Sequence, residues 1–249
     1  MWKQLLKMLN TKMPSILSVS QKWLSSFSRL ILPNNCLLCE NELINLEENI
    51  CVFCVSKLPY TLFEKMEGQT TLDKLFWGRI SIENSFSLLF FEKQGLAQPI
   101  LHAIKYQHQK NLAIQMGVLI GKRWMEKASH DPIDALVPIP LHHKRQFSRG
   151  YNQSAFLAKG ISVPLQIPVL EGVLERAKNV KTQTKLNRFQ RWNNVSEIFE
   201  AKCLPEGIKH IALVDDVITT GATLEAACRV LNEKFPELRI SIISLAIAL

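Results

Sequence analysis

Asp215 and Asp216 stand side by side, and Thr219-Thr220-Gly221-Ala222-Thr223 begins two residues after them. Paired carboxylates can grip a vicinal diol, a metal ion, or both. Three threonine hydroxyls add donors, and Gly221 permits close backbone approach and unusual dihedrals. Such a cluster needs positioning elements on both sides. Upstream, Ile211–Val214 is apolar and β-rich, which predicts a buried strand with the acids at its C-terminal end. Downstream, Leu224–Leu231 has the spacing of an Ala-rich amphipathic helix. The N-terminus of that helix offers unpaired N–H groups and a positive dipole end, both suited to a phosphate. In open α/β sheets ligands sit outside the carboxyl ends of strands. Phosphate, diol and Mg²⁺ together describe a ribose 5-phosphate. An Asp can also cap a turn and a Thr is a common N-cap. Two adjacent acids followed by Thr-Thr-Gly-x-Thr exceed what capping needs.

The charge distribution points to the same class of ligand. The 249-residue chain carries a net charge of +8. All of that excess lies between His142 and Trp192, where ten Lys and Arg face only Glu171 and Glu175. A pyrophosphate and a nucleic-acid backbone both fit such a segment. Asp134–Pro140 reads as the first core strand. The loop after it carries Lys144, Arg145 and Arg149 with Gly150, a composition suited to a diphosphate. A helix over Ser154–Lys159 follows. His142 and His143 have no acid or cysteine at metal spacing, so they are poor candidates for bases or ligands. Arg176 to Arg188, including Lys181 and Gln183, is polar, basic and weakly periodic, as in a lid that closes over a charged ligand. Lys105 either reaches a phosphate or is an ordinary surface lysine.

A second constellation is separate. Cys36-Leu-Leu-Cys39 and Cys51-Val-Phe-Cys54 are two close pairs with eleven residues between them. Each pair can place two thiolates on one turn, and two turns complete a tetrahedral sulfur shell. The four-ligand set is closed, so the expected Zn²⁺ is structural; ligand type alone also admits iron. Cys228 falls on the apolar side of the last helix, and Cys203 has no evident partner. Nothing suggests a secreted disulfide framework, and a reducing cytoplasm is expected.

The remaining chain supplies scaffold. Hydrophobic residues make up 47% of it, enough for one sizeable α/β core with a small module. No run approaches a transmembrane helix. Residues 1–35 are basic and amphipathic, a pattern that lies on a membrane surface or packs on a domain. Leu58–Trp77 is a connector. Ile82–Glu92 reads as a strand, Ala97–Ile104 and Leu112–Lys127 as helices, and Val163–Val169, Gly172–Glu175 and Glu197–Glu200 as short strands. Leu238–Leu249 closes the sheet. Strands alternating with helices predict a mostly parallel α/β sheet. The expected organisation is an N-terminal segment 1–35, a zinc module 36–60 and an α/β domain 80–249.

Several blocks coincide in order. They are the four cysteines, His-Ala-Ile-Lys-Tyr ending at Tyr106, Val-Pro-Ile-Pro-Leu with Arg149-Gly-Tyr-Asn-Gln153, the Arg176…Gln183…Arg188…Phe199 pattern, and Val214-Asp-Asp-Val-Ile-Thr-Thr-Gly-Ala-Thr223. The last resembles the phosphoribosyl-diphosphate (PRPP) signature of type I phosphoribosyltransferases. The whole set resembles the ComF family of competence proteins, from about Cys36 to the C-terminus. The resemblance implies a type I phosphoribosyltransferase fold and cytoplasmic action in DNA uptake during natural transformation. It implies that Asp215 and Asp216 hold ribose hydroxyls and Thr219–Thr223 the 5′-phosphate. The Lys144–Arg149 loop would face the diphosphate and Mg²⁺. Single-stranded DNA and DNA-uptake or helicase-like proteins are the expected partners, with Tyr106, Tyr151, Phe147 or Trp192 available to stack on bases. Transfer of ribose 5-phosphate from PRPP to an acceptor is the alternative activity. No base-recognition element for such an acceptor is evident, and no role carries over to residues 1–35.

Overall fold

In the computed structural model, residues 35–44, 48–127, 132–141, 149–176 and 198–248 are described. The expected N-terminal helix, the His142–Phe147 stretch and the Lys181–Trp192 stretch lie outside them. The chain divides into two compact units, one ending at Val55 and the other beginning at Ser56.

The first unit is built on the cysteine turns. An antiparallel bridge joins Asn35 to Glu42, and Leu37 N–H donates to Asn49 O at 2.8 Å, which brings the two cysteine pairs together. A short helix, α1 (Val52–Ser56), carries Cys54.

The second unit holds a four-stranded parallel sheet in the order β1-β6-β5-β2. The strands are β1 (Ser85–Phe90), β2 (Ala135–Pro138), β5 (His210–Ile218) and β6 (Arg239–Ile247). Two further strands, β3 (Leu174–Arg176) and β4 (Phe199–Ala201), form an antiparallel pair of their own. The helices are α2 (Thr71–Phe76), α3 (Ala97–Tyr106), α4 (Lys110–Met125), α5 (Gln153–Leu165) and α6 (Ala222–Lys234). The expected mostly parallel α/β sheet is therefore present. No helix among the described residues is long and apolar enough to cross a membrane.

Four expectations change. Leu238–Leu249 closes nothing: β6 is central, paired with both β1 and β5, and buried from Ile240 to Ile247. Apart from Ser241 and Ser244, these buried residues are all apolar, as a strand covered on both faces requires. Asp134–Pro140 supplies an edge strand instead of the first one, because Ser85–Phe90 has already entered the same sheet. Val163–Val169 is not a strand. Helix α5 runs through Pro164 to Leu165 and ends where Gln166 turns left-handed, φ 57°. A proline so near the end removes a single helical bond, so the helix survives it. Val169 then makes a lone parallel bridge to Leu136. The Leu58–Trp77 connector contains a 3₁₀ turn (Phe63–Lys65) and α2, whose Thr70 and Asp73 form a reciprocal N-terminal cap.

Strand order sets the site. β2 is followed by a segment that bridges outward, at Val169, whereas β5 is followed by β6 on the other side. The connections therefore diverge between β2 and β5, and the crevice beyond their carboxyl ends is where α/β sheets bind ligands. Helix α5 covers β2 and β5, and α4 lies directly on α5. The two helices meet backbone to backbone: a Cβ on Gly117 would collide with the Leu157 carbonyl, and one on Gly160 with the Ile114 carbonyl. Gly160→Ala is therefore expected to destabilise the protein by about 1–3 kcal/mol, an overpacking cost read in a denaturant melt. A surface control, Lys159→Ala, should stay within about 0.5 kcal/mol.

Candidate functional site

β5 continues through the carboxylates. The sequence suggested that Asp215 and Asp216 follow the strand, but pairing with β6 extends to Ile218 opposite Ile247, so both acids sit inside it. β2 stops opposite Val214. The acids thus begin where the neighbouring strand ends, and both stay partly exposed at the rim of the crevice.

Each acid has its own partners. Asp215 Oδ1 accepts Ser154 Oγ–H at 3.2 Å and the Asp216 N–H at 2.8 Å. Ser154 opens α5, where Asn152 accepts the Ser154 N–H at 3.1 Å and donates to Ile139 O at 3.0 Å. The Tyr-Asn-Gln-Ser stretch is thus an N-cap that aims a hydroxyl at the acid. Asp216 Oδ2 pairs with Lys105 Nζ at 3.3 Å, across from the last turn of α3. Lys105, left open between two roles by the sequence, is at the site. Burial, and then the charge of Asp216, push Asp215 up to about 7, against the smaller opposing effects of the Asp216 N–H, Ser154 and Lys105.

The turn after β5 has the expected form. Gly221 is the N-cap of α6 with φ 73°, and Thr220 Oγ1 accepts the Ala222 N–H at 3.4 Å. Thr219, Thr220, Ala222 and Thr223 are exposed or nearly so, while Gly221 is buried. A Cβ on Gly221 would lie 2.7 Å from the Phe76 ring, so glycine is required by both conformation and space.

Two supports for this turn had no signal in the sequence. Arg79 Nη1 donates to Thr220 O at 2.8 Å, and its Nε donates to Glu225 Oε2 at 3.0 Å. Phe76 packs on Gly221 from the end of α2. Phe76 belongs to the stretch read as a featureless connector and Arg79 follows it, 141 residues before Thr220. Sequence spacing cannot reveal a partner at that separation.

Of the other candidates, Arg149 lies with its guanidinium carbon 5.3 Å from the centroid of the Tyr106 ring, and its Nη1 donates to Gln153 Oε1 at 3.2 Å. Arg176 donates to Pro140 O at 3.3 Å and stacks on Phe199 at 5.2 Å, which ties β3 and β4 to the segment after β2. Lys144, Arg145, Lys181, Gln183 and Arg188 lie outside the described residues.

The four thiols converge. The sulfur atoms of Cys36, Cys39, Cys51 and Cys54 all lie within 4.8 Å of one another, and Cys39 and Cys51 are 3.7 Å apart. Tetrahedral zinc with Zn–S bonds near 2.3 Å needs about 3.8 Å between sulfurs. Cys36 Sγ accepts N–H groups of Cys51 at 3.4 Å and Leu38 at 3.5 Å. Burial raises the Cys36 pKa, but these donors outweigh it and lower the thiol to about 6, favouring the thiolate that a metal binds. The cluster could hold zinc. Cys228 is buried and Cys203 exposed.

No protein-family profile matches the chain. It is 38% identical over 102 residues to Competence protein F of Haemophilus influenzae, covering 40% of this chain and 44% of that protein. It is 41% identical over 100 residues to Competence protein ComFC of Bacillus subtilis, covering 40% of this chain and 38% of that protein. These matched stretches span less than half the length of the two competence proteins. A longer, weaker match, 25% over 210 residues, covers 81% of this chain and 92% of the DNA utilization protein YhgH of Escherichia coli O157:H7. Among solved structures, an adenine phosphoribosyl transferase from Trypanosoma brucei in complex with AMP, pyrophosphate and ribose-5-phosphate aligns with TM-score 0.35 and 12% identity over 67% of this chain and 84% of that one. A score that low carries no weight. The motif resemblance to ComF-family competence proteins is thus matched by alignable sequence.

The site geometry leads to two expectations. Asp215 keeps its proton to about pH 7 in the folded state but releases it near 3.8 when unfolded. The folded state therefore loses stability as pH rises between those values. Asp215→Asn, which keeps an oxygen acceptor for Ser154, should raise Tm at pH 8 by roughly 2–4 °C and flatten the decline between those pH values. For the thiols, elemental analysis should find one zinc per chain, and Cys36→Ser should remove it; iron in its place would overturn the zinc assignment.

Proposed function

We propose that this chain is a ComF-like competence protein that acts in the cytoplasm in DNA uptake during natural transformation, on a type I phosphoribosyltransferase fold. Its α/β unit binds a PRPP-like ribose phosphate together with Mg²⁺, and its basic surface binds single-stranded DNA. The observation that carries the ligand assignment is the crevice beyond β2 and β5. There a carboxylate pair, the Gly221 turn and the α6 N-terminus come together. The similarity to two competence proteins and to a DNA utilization protein supports the cellular role.

In this reading Asp215 and Asp216 receive the ribose hydroxyls. The Thr219–Thr223 turn takes the 5′-phosphate on hydroxyls and on the first N–H groups of α6. Lys105 lies against Asp216 and is in reach of an anion entering the crevice. Two carboxylates plus ligand phosphates form the oxygen-rich, partly hydrated set that suits Mg²⁺, which would neutralise diphosphate charge when bound. Ligand binding favours ionised Asp215, so affinity should rise with pH through about 7, with proton release. Lys144, Arg145 and Arg149 would meet the diphosphate. Arg176, Lys181, Gln183 and Arg188 would form a lid and a track for DNA. The proposed organisation is a zinc module over 36–60 and the ligand-binding domain over 80–249.

A second reading, transfer of ribose 5-phosphate from PRPP to an acceptor, is favoured by the intact carboxylate pair. In it Asp215 and Asp216 would anchor the sugar and stabilise positive charge developing at C1. Fold does not choose between binding and turnover.

Calorimetry separates these readings. Mg²⁺-PRPP should bind wild-type protein, and the Asp215→Asn, Asp216→Asn double variant should lose that binding while remaining folded. Unchanged affinity would remove the site assignment. Diphosphate release on addition of a base would select the transferase. For DNA, neutralising Arg176, Lys181 and Arg188 should lower the slope of log K against log[salt] by about 0.7 for each phosphate that the protein no longer neutralises; an unaltered slope would place the DNA surface elsewhere.

A further inference from the structure

We infer that Tyr106, backed by Arg149 and next in sequence to the lysine that pairs with Asp216, is a stacking platform for a nucleobase. The inference rests on the nucleic-acid-binding reading above, and it names the side chain that meets the base. Four aromatic residues were available from the sequence. Tyr151 is excluded by its environment: it is 5% exposed and its hydroxyl donates to Ile104 O at the end of α3. Phe147 and Trp192 lie outside the described residues. Tyr106 is 61% exposed on the last turn of α3.

An exposed tyrosine alone would mean little. This one is assembled. The Arg149 guanidinium lies over its ring, and Gln153 at the start of α5 holds that guanidinium in place. His102, one helical turn back and also exposed, lies with its ring centroid 5.0 Å away. The Tyr151–Ile104 bond fixes the Arg149–Tyr151 segment against α3, so cation and ring are set by the backbone of two elements. The adjacent residue, Lys105, is the one that pairs with Asp216. The platform and the lysine that reaches the carboxylates thus share the last turn of α3, on neighbouring positions. Aromatic rings stack on any base, and arginine adds a planar cation. The occupant that fits is a base of single-stranded nucleic acid; a free nucleotide shares the same chemistry.

The test compares oligo(dT), an abasic oligomer of the same length and a mononucleotide on wild type, Tyr106→Leu and Tyr106→Trp. Mg²⁺-PRPP serves as a control on each protein. Tyr106→Leu should weaken oligo(dT) by about 5- to 150-fold, the range for one stacked base. It should leave the abasic oligomer unchanged, and Tyr106→Trp should restore affinity. A loss confined to the mononucleotide would assign the platform to a free nucleotide and overturn the nucleic-acid strand as its occupant. Equal binding of both oligomers and the mononucleotide by wild type and Tyr106→Leu would overturn the platform. If wild type binds no Mg²⁺-PRPP but Tyr106→Leu still loses oligo(dT), the carboxylate reading falls and the platform stands.

Discussion

A carboxylate at the end of a buried strand is costly, and the second unit is arranged around that cost. Asp215 is only partly exposed, and burial and a second negative charge both oppose its ionisation. It stays there because β5 is locked between β6 and β2, with Ile211 to Val214 fully buried. An aspartate placed on a free loop would turn toward solvent. Here the ladder to Ile218 prevents that, and among the described residues Ser154, one backbone N–H and nearby Lys105 compensate. Destabilised groups of this kind concentrate where a ligand supplies what the protein withholds.

The rest of the unit delivers three arms to the same point. α3 brings Lys105 to Asp216. α5 brings Ser154 to Asp215, and it can lie low enough to do so because Gly117 and Gly160 let α4 and α5 touch backbone to backbone. α2 and the residues after it bring Phe76 and Arg79 against the Thr219–Thr223 turn, where Arg79 ties the Thr220 carbonyl to Glu225 of α6. Thr219, Thr220 and Thr223 of that turn stay exposed, while its Gly221 side is closed by an aromatic ring. The cysteine cluster belongs to the other unit and has its own local organisation, built on N–H groups that point at sulfur.

The proposed site for ribose and phosphate, with the proposed base platform, would serve a binder of nucleic acid and a transferase equally well. Chemistry at C1 of a sugar would need an acceptor held in line. A strand of DNA would need stacking surface and cations; Tyr106 lies exposed under the Arg149 guanidinium, and Lys105 pairs with Asp216. The similarity to competence proteins supports the proposed competence role.

The carboxylate-turn motif, the four-cysteine cluster and the alternation of strands with helices were legible in the sequence because each is local. Asp215 to Thr223 spans one strand end and one helix start, and each Cys-x-x-Cys pair spans a single turn, so residue type and spacing carry the geometry. The same local logic misread the segment around Pro164 as a strand and β6 as an edge. What only the tertiary structure decided was everything set by distance along the chain: the divergence of connections between β2 and β5, the Arg79–Thr220 and Lys105–Asp216 pairs, and the choice of Tyr106 over Tyr151 as the exposed ring. Burial and strand order depend on which segments meet, and a linear pattern records only what each segment prefers.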